Sequence, residues 1–220
     1  MAEHAEKNGT LRGAALEVRT IALALDCSTL NRAALYGIDA SGVEIEQRDV
    51  AAFDTFITTW LKDHRMKHTV QRATLRKGRD RPAHRLTIRY GPSKDTATHR
   101  TIDIVHDDSR LLLGHHKARS MDLLVADLPY GVQHGAADGD GRSARGPEAF
   151  LVDALPAWRE VLRPGAGVAL AWNRRTLPRP RLVELATGAG LEVASSDDDR
   201  FVHRVDRSIT RDVLVGRRPG

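Results

Sequence analysis

The strongest constraint on this chain is an alternation. From residue 29 onward, apolar runs of strand length take turns with stretches whose apolar residues recur at helical spacing. That order builds an open α/β sheet with helices on its faces, and such sheets bind ligands at the carboxyl ends of their strands. TLNRAALYGIDA (29–40) predicts a helix with Leu30, Ala33, Ala34 and Ile38 on one face, and SGVEIE (41–46) a short strand. VAAFDTFITTWLKDHRMKH (50–68) predicts an amphipathic helix through Val50, Phe53, Ile57, Trp60 and Leu61. TIDIVHD (101–107) and the run into Asp127 read as strands. EAFLVDALPAWREVL (148–162) reads as a helix that Pro156 should kink. Arg163-Pro164-Gly165 ends it, and GVALAWN (167–173) follows as a buried strand. PRLVELATGAG (180–190) predicts a helix closed by glycine, and LEVASSD begins the next strand. Residues 201–218 suggest two strands joined near Asp206-Arg207, while residues 10–25 fit helix or strand.

Charge is distributed unevenly. The chain of 220 residues carries a formal net charge of +5. From His64 to Arg100, eleven Lys and Arg face two acids, an excess of nine. HTVQRATLRKG (68–78) and AHRLTIRYG (83–91) in this segment alternate in part, which predicts a basic hairpin over 68–91 inserted in the sheet. Such a focus of charge attracts polyanions and makes Arg72, Arg76, Lys77, Arg79, Arg81 and Arg85 candidates for gripping nucleic-acid phosphates. A solvated basic surface is the alternative.

Composition narrows the classes. A hydrophobic share of 41% supports a globular chain, read here as one domain over 1–220 with an atypical segment at 1–20. A single cysteine, Cys27, excludes an internal disulfide framework and fits a reducing compartment. No apolar run approaches a membrane span and residues 1–12 lack a signal-peptide core, so a cytoplasmic protein is expected. His115 and His116 are adjacent and diverge, and there is no thiolate set, so no metal is expected. Trp60, Trp158 and Trp172 fall on apolar faces or strands and read as core.

The sharpest local feature is VADLPYGVQHG (125–135), where an apolar strand stops at Asp127. An acid followed by the Leu128 carbonyl and then Pro129 offers acceptors aimed at one place, able to hold an exocyclic amine. Tyr130 adds a flat face for a base taken out of its stack. Gln133 and His134 follow closely enough to touch substrate, although loop polarity explains them equally well. Glu44 and Glu46 end one strand, where a carboxylate can receive a ribose diol or simply face solvent. Asp107 and Asp108 end another, where either can accept from an adenine amino group or cap a helix.

Taken together, GVEIE, VHDDSR, VADLPYGVQHG, VLRPGAGVALAWN and FVHRVDRSITRDVLVG resemble the Rossmann-like S-adenosylmethionine-dependent methyltransferases. Within these, residues 29–218 are similar to the group whose Asp-Pro-Pro-Tyr-Gly motif serves methylation of the guanine exocyclic amine in tRNA. The resemblance implies a mostly parallel sheet with a reversed last strand and S-adenosylmethionine as cofactor. Glu44 would bind its ribose and Asp108 its adenine, with Cys27 and Ser28 in the first cofactor loop. Asp127, Leu128, Pro129 and Tyr130 would form the catalytic loop, Asp127 also bordering the cofactor. Two departures stand out. Leu128 replaces a proline, which should loosen the loop, and ALALDCSTLN lacks the glycines of the family's first motif, as in a degenerate or truncated member. RNA, tRNA in particular, is the expected partner, with no membrane; oligomeric state is left open. The alternatives are a non-catalytic RNA-binding module that kept the cleft, and a DNA adenine-amine methyltransferase.

Overall fold

The computed structural model describes residues 19–23, 28–75, 83–128, 147–194 and 200–220. Its elements run β1 (Arg19–Leu23), α1 (Ser28–Leu35), β2 (Asp39–Glu44), α2 (Gln47–Asp63), β3 (Lys67–Leu75), β4 (Ala83–Gly91), β5 (Arg100–His106) and β6 (Met121–Asp127). They continue with α3 (Pro147–Val161), β7 (Leu162–Asn173), α4 (Arg179–Gly188), β8 (Glu192–Val193), β9 (His203–Arg204) and β10 (Thr210–Arg217). One mixed sheet orders the strands β3-β4-β5-β2-β1-β6-β7-β10-β8, with β9 paired to β10. Strands β5, β2, β1, β6 and β7 are mutually parallel, so their carboxyl ends share one edge. β10 runs antiparallel to β7, and β3 with β4 forms an antiparallel hairpin on the far edge.

Each face of the sheet closes a core. Leu30, Ala33 and Ala34 of α1 and Phe53, Ile57 and Leu61 of α2 pack on Leu86, Ile88, Tyr90, Ile102 and Ile104. Leu151, Leu155 and Trp158 of α3 and Leu182 of α4 pack on Leu124, Val168, Leu170 and Leu214. The Trp158 indole donates to Ser109 O at 3.2 Å and the Trp172 indole to Leu177 O at 2.8 Å, so both buried rings find the partner their N–H requires. Trp60 is only partly buried and stacks on His64.

Helix ends depart from the sequence expectation for a local reason. α1 stops at Leu35 because Gly37 takes a left-handed φ of 63°, letting Gly37 and Ile38 donate back to Ala34 O and Ala33 O. This glycine-centred stop frees the chain to enter β2 two residues earlier than expected. α2 likewise stops at Asp63 rather than 68; Arg65, at φ 55°, takes the left-handed position usually held by glycine. β7 begins at Leu162, and its register against β6 shifts between Met121 and Leu123, close to Gly165 at φ 81°. The ambiguous segment 10–25 contains strand β1.

The last strand also fastens α3. The buried Arg218 guanidinium donates to the carbonyls of Arg159, Glu160 and Leu162 at 3.0, 3.2 and 2.7 Å. Helix carboxyl ends leave such carbonyls without intrahelical donors, and a cation there also complements the helix dipole.

Candidate active site

Leu23, Glu44, His106, Asp127 and Asn173 end the five parallel strands and therefore line one edge. Glu44 is 3% exposed. Its Oε1 accepts from the Glu46 amide at 2.8 Å, while Oε2 is buried with no partner among the described residues. Burial pushes its carboxyl up to about 7; the amides of Glu46 and Ile45 oppose that shift, and the charge of Asp49 adds to it. Glu46 itself is exposed and stands at the start of α2, so the two acids raised by the sequence part company.

The neighbouring strand end is tied to Glu44 through the main chain, the Asp107 amide donating to Glu44 O at 3.0 Å. Asp107 also pairs with the buried His115 ring. Asp108 takes the capping alternative: it accepts from the Arg110 amide at 2.8 Å and from the Arg110 Nε at 2.8 Å, opening a 3-10 turn over Ser109–Gly114. His106 was not singled out by sequence. It lies opposite Glu44 in register, uses Nε2 against Ile45 O at 3.0 Å, and keeps a buried Nδ1 with no partner among the described residues. Since a carbonyl only accepts, Nε2 donates this bond, and in a neutral ring Nδ1 is then an acceptor.

Asp127 stands on the other side of β1. Its Oδ2 accepts from Arg211 Nη2 at 2.6 Å, an ion pair between β6 and β10 with side chains 22% and 34% exposed. Leu128 itself is anchored, while the residues after it lie outside those described. Its side chain is buried in the core, and its amide donates to Ala171 O at 2.8 Å, a bond that proline has no N–H to make. Pro129 and Tyr130 lie outside the described residues, as do Cys27 and the Ser28 side chain. Gln133 and His134 do too.

Arg211 was not visible as a site residue in sequence, because its role depends on β10 running backward. That direction sets Arg211 opposite Asn173, at the carboxyl edge. Asn173 is buried and holds the approach to β10: Nδ2 donates to Ser208 O at 3.1 Å and Oδ1 accepts from the Thr210 amide at 3.0 Å.

Two of the candidate phosphate-binding residues are described, and both have acidic neighbours within the chain. Arg72 forms a two-pronged bond with Asp54 of α2, both arms at 2.8 Å. Arg85 turns inward, with Nε 3.4 Å from Asp103 and Nη2 donating to His115 O at 3.2 Å. Arg76, Lys77, Arg79 and Arg81 lie outside the described residues. Among the described residues, no group of three or more His, Cys, Asp or Glu side chains gathers for a metal, and no helix is long and apolar enough to cross a membrane.

No protein-family model and no curated protein matches the chain. Solved structures do. A SAM-dependent methyltransferase from Methanosarcina mazei is 12% identical, with 93% of this chain and 94% of that one covered at a TM-score of 0.53. A methyltransferase from Pyrococcus furiosus is 13% identical over 94% of this chain and 78% of that one, with a TM-score of 0.51. TrmN from Thermus thermophilus is 16% identical with a TM-score of 0.50; 92% of this chain covers 44% of that longer one. The likeness is one of fold: the chain has the Rossmann-like architecture of the SAM-dependent methyltransferases.

Proposed function

We propose that this chain transfers a methyl group from S-adenosylmethionine to an exocyclic base amine, guanine in structured RNA such as tRNA being the substrate that the Asp127 motif favours. The carrying observation is Glu44 Oε2, a buried acceptor with no described partner at the carboxyl end of β2. A buried polar atom of this kind costs stability unless a ligand satisfies it. His106 Nδ1 repeats the pattern on the adjacent strand, in register with Glu44. Strands are spaced at about 4.8 Å, so two neighbouring acceptors suit the two hydroxyls of a ribose. These residues fit the cofactor that the fold implies.

When bound, S-adenosylmethionine supplies an electrophilic methyl group. Glu44 and His106 would accept from its ribose hydroxyls, with the exposed Ile45 offering an apolar surface beside them. Asp127 and the Leu128 carbonyl accept the amine hydrogens and point its lone pair toward the methyl carbon. The nitrogen would bond to the methyl carbon as that carbon's bond to the sulfonium sulfur breaks, the sulfur leaving as a neutral thioether. The proton shed by the nitrogen would pass by way of the Asp127 carboxylate to solvent. Orientation and exclusion of water lower the barrier without a covalent enzyme intermediate. Arg211 holds the Asp127 carboxylate in one orientation, so Asp127 acts as a fixed acceptor. Tyr130 stacks on the base and Asp108 borders the adenine. Cys27 and Ser28 belong to the cofactor loop, with the whole chain acting as one catalytic domain.

Calorimetry tests the reading. Wild-type protein should bind S-adenosylmethionine and Glu44→Ala should bind it far more weakly; no binding to wild type at millimolar ligand overturns the enzyme reading. Transfer of a labelled methyl group to tRNA transcripts, compared with adenine-containing DNA, distinguishes guanine in RNA from the DNA alternative.

A further inference from the structure

The basic segment singled out in sequence is not the only concentration of arginine. A second one assembles in space from two distant stretches. NRRTLPRPR (173–181) and RFVHRVDRSITR (200–211) together hold eight arginines and one acid, Asp206. Of the eight, Arg174 and Arg179 face the buried Asp212, Arg181 pairs with Glu148 and Glu184, and Arg211 with Asp127, so the exposed charge rests on Arg175, Arg200, Arg204 and Arg207. Asp206 is already occupied: its Oδ1 accepts from the Ser208 and Ile209 amides, shaping the turn between β9 and β10. The two stretches are joined by the Arg174 amide to Thr210 O at 2.8 Å and by Arg175 Nε to Thr210 Oγ1 at 3.2 Å.

Position gives this cluster its meaning. β7 ends and β10 begins at the carboxyl edge, the two strands beyond Asp127. Arg211 touches Asp127 directly. Arg175, Arg200, Arg204 and Arg207 are exposed, as are Phe201 and Val205 between them. The β3–β4 hairpin reaches the same edge, but β3 lies five strand positions from β6, or about 24 Å at ~4.8 Å per strand.

We infer that the arginine surface built by the β7–α4 connection and the β9–β10 hairpin is the docking site for the RNA whose base is delivered to Asp127; this rests on the methyl-transfer reading above. Guanidinium groups recognise phosphate oxygens with two parallel donors. An exposed aromatic among them supplies a platform for an unpaired base, the form in which RNA is commonly read and the only form in which a base amine can enter a cleft. Among the described residues the surface is made of a hairpin and a connection, with no helix projecting to enter a B-DNA major groove.

The test uses the full chain, a fluorescein-labelled tRNA transcript and a DNA duplex of equal length, with affinity read by anisotropy across a salt series. The triple variant Arg175→Glu/Arg204→Glu/Arg207→Glu should lose at least about tenfold in RNA affinity at physiological salt. The slope of log affinity against log salt should fall by about 2, at roughly 0.7–0.9 for each phosphate no longer neutralised. The matching lysine variant should regain most of that affinity, which a misfolded surface would not allow. S-adenosylmethionine affinity of the triple variant, measured by calorimetry, should equal that of wild type. The inference is overturned if the triple variant binds RNA like wild type, if reversing Arg76, Lys77, Arg79 and Arg81 alone removes the binding, if duplex DNA binds more tightly than RNA, or if wild type binds no RNA. Loss of cofactor binding by wild type sinks the methyl-transfer reading instead, so the two failures are distinguishable.

Discussion

On the β2–β5 side of the carboxyl edge, Glu44 is buried with one oxygen lacking any described partner and a carboxyl pushed up to about 7. On the β6–β7–β10 side, Asp127 is more open and already paired with Arg211 at 2.6 Å. In the proposed role the first arrangement receives a ligand: burial opposes the charge of Glu44, and an incoming donor, like a proton, offsets that cost. The second is preorganised, its carboxylate oriented before substrate arrives. Under the proposed methyl transfer the two substrates gain from this division, one half serving as a socket and the other as a fixed guide.

The comparison breaks most sharply at Asp127. Asp127→Ala should lower kcat by about 100-fold or more, the scale for one polar group placed at a reacting centre, while calorimetric affinity for S-adenosylmethionine stays near wild type. Equal turnover by the variant would reject the site. Glu44→Gln should do the reverse. Its cofactor affinity should drop by about tenfold or more, as expected when a buried charged hydrogen bond is lost. It should also gain stability at pH 8, measured by urea unfolding. Glu44 changes from an ordinary value of 4.5 to about 7 on folding. The folded state therefore holds the extra proton, and the penalty grows as pH rises from 4.5 through 7, up to about 3 kcal/mol.

Arg211→Gln should have a smaller effect, about tenfold in kcat with KM for the cofactor unchanged, since Asp127 survives but is less firmly oriented. A loss confined to thermal stability would make the pair merely a strand-to-strand fastening. The smallest effect concerns pH. Burial pushes His116 down to about 4, so folding keeps it neutral and its contribution is lost as pH falls from 6.5 toward 4. In that window Glu44 gains what His116 loses. Wild-type stability should therefore change little through these two groups between pH 6.5 and 4.5, whereas Glu44→Gln should fall more steeply with acid. Parallel slopes for the two proteins would show that Glu44 is not protonated on folding.

How much of this was legible in sequence depended on the range of the interaction. The strand and helix alternation is local, and it led to the sheet, the hairpin strands and the acids at their ends. Glu44 could be placed because a strand end is read from its own residues. Its missing partner could not, since that depends on what α2 and β5 bring around it. Arg72 resembled a free cation until α2 placed Asp54 beside it, 18 residues away in sequence. Asp108 carried two readings; the turn of Arg110 back over it makes the cap, and its place beside the adenine belongs to the proposal. Arg211 is 84 residues from Asp127, and only the backward course of β10 brings them together.

Leu128 has one further consequence. Where the related motif places proline, this chain keeps an amide hydrogen one residue from Asp127, bonded to Ala171 O. Proline is silent in amide spectra, so the substitution equips the target loop with its own observable proton. Its chemical shift and exchange with deuterium report directly on how firmly Leu128 stays paired with β7, with or without ligands, one residue from the acid.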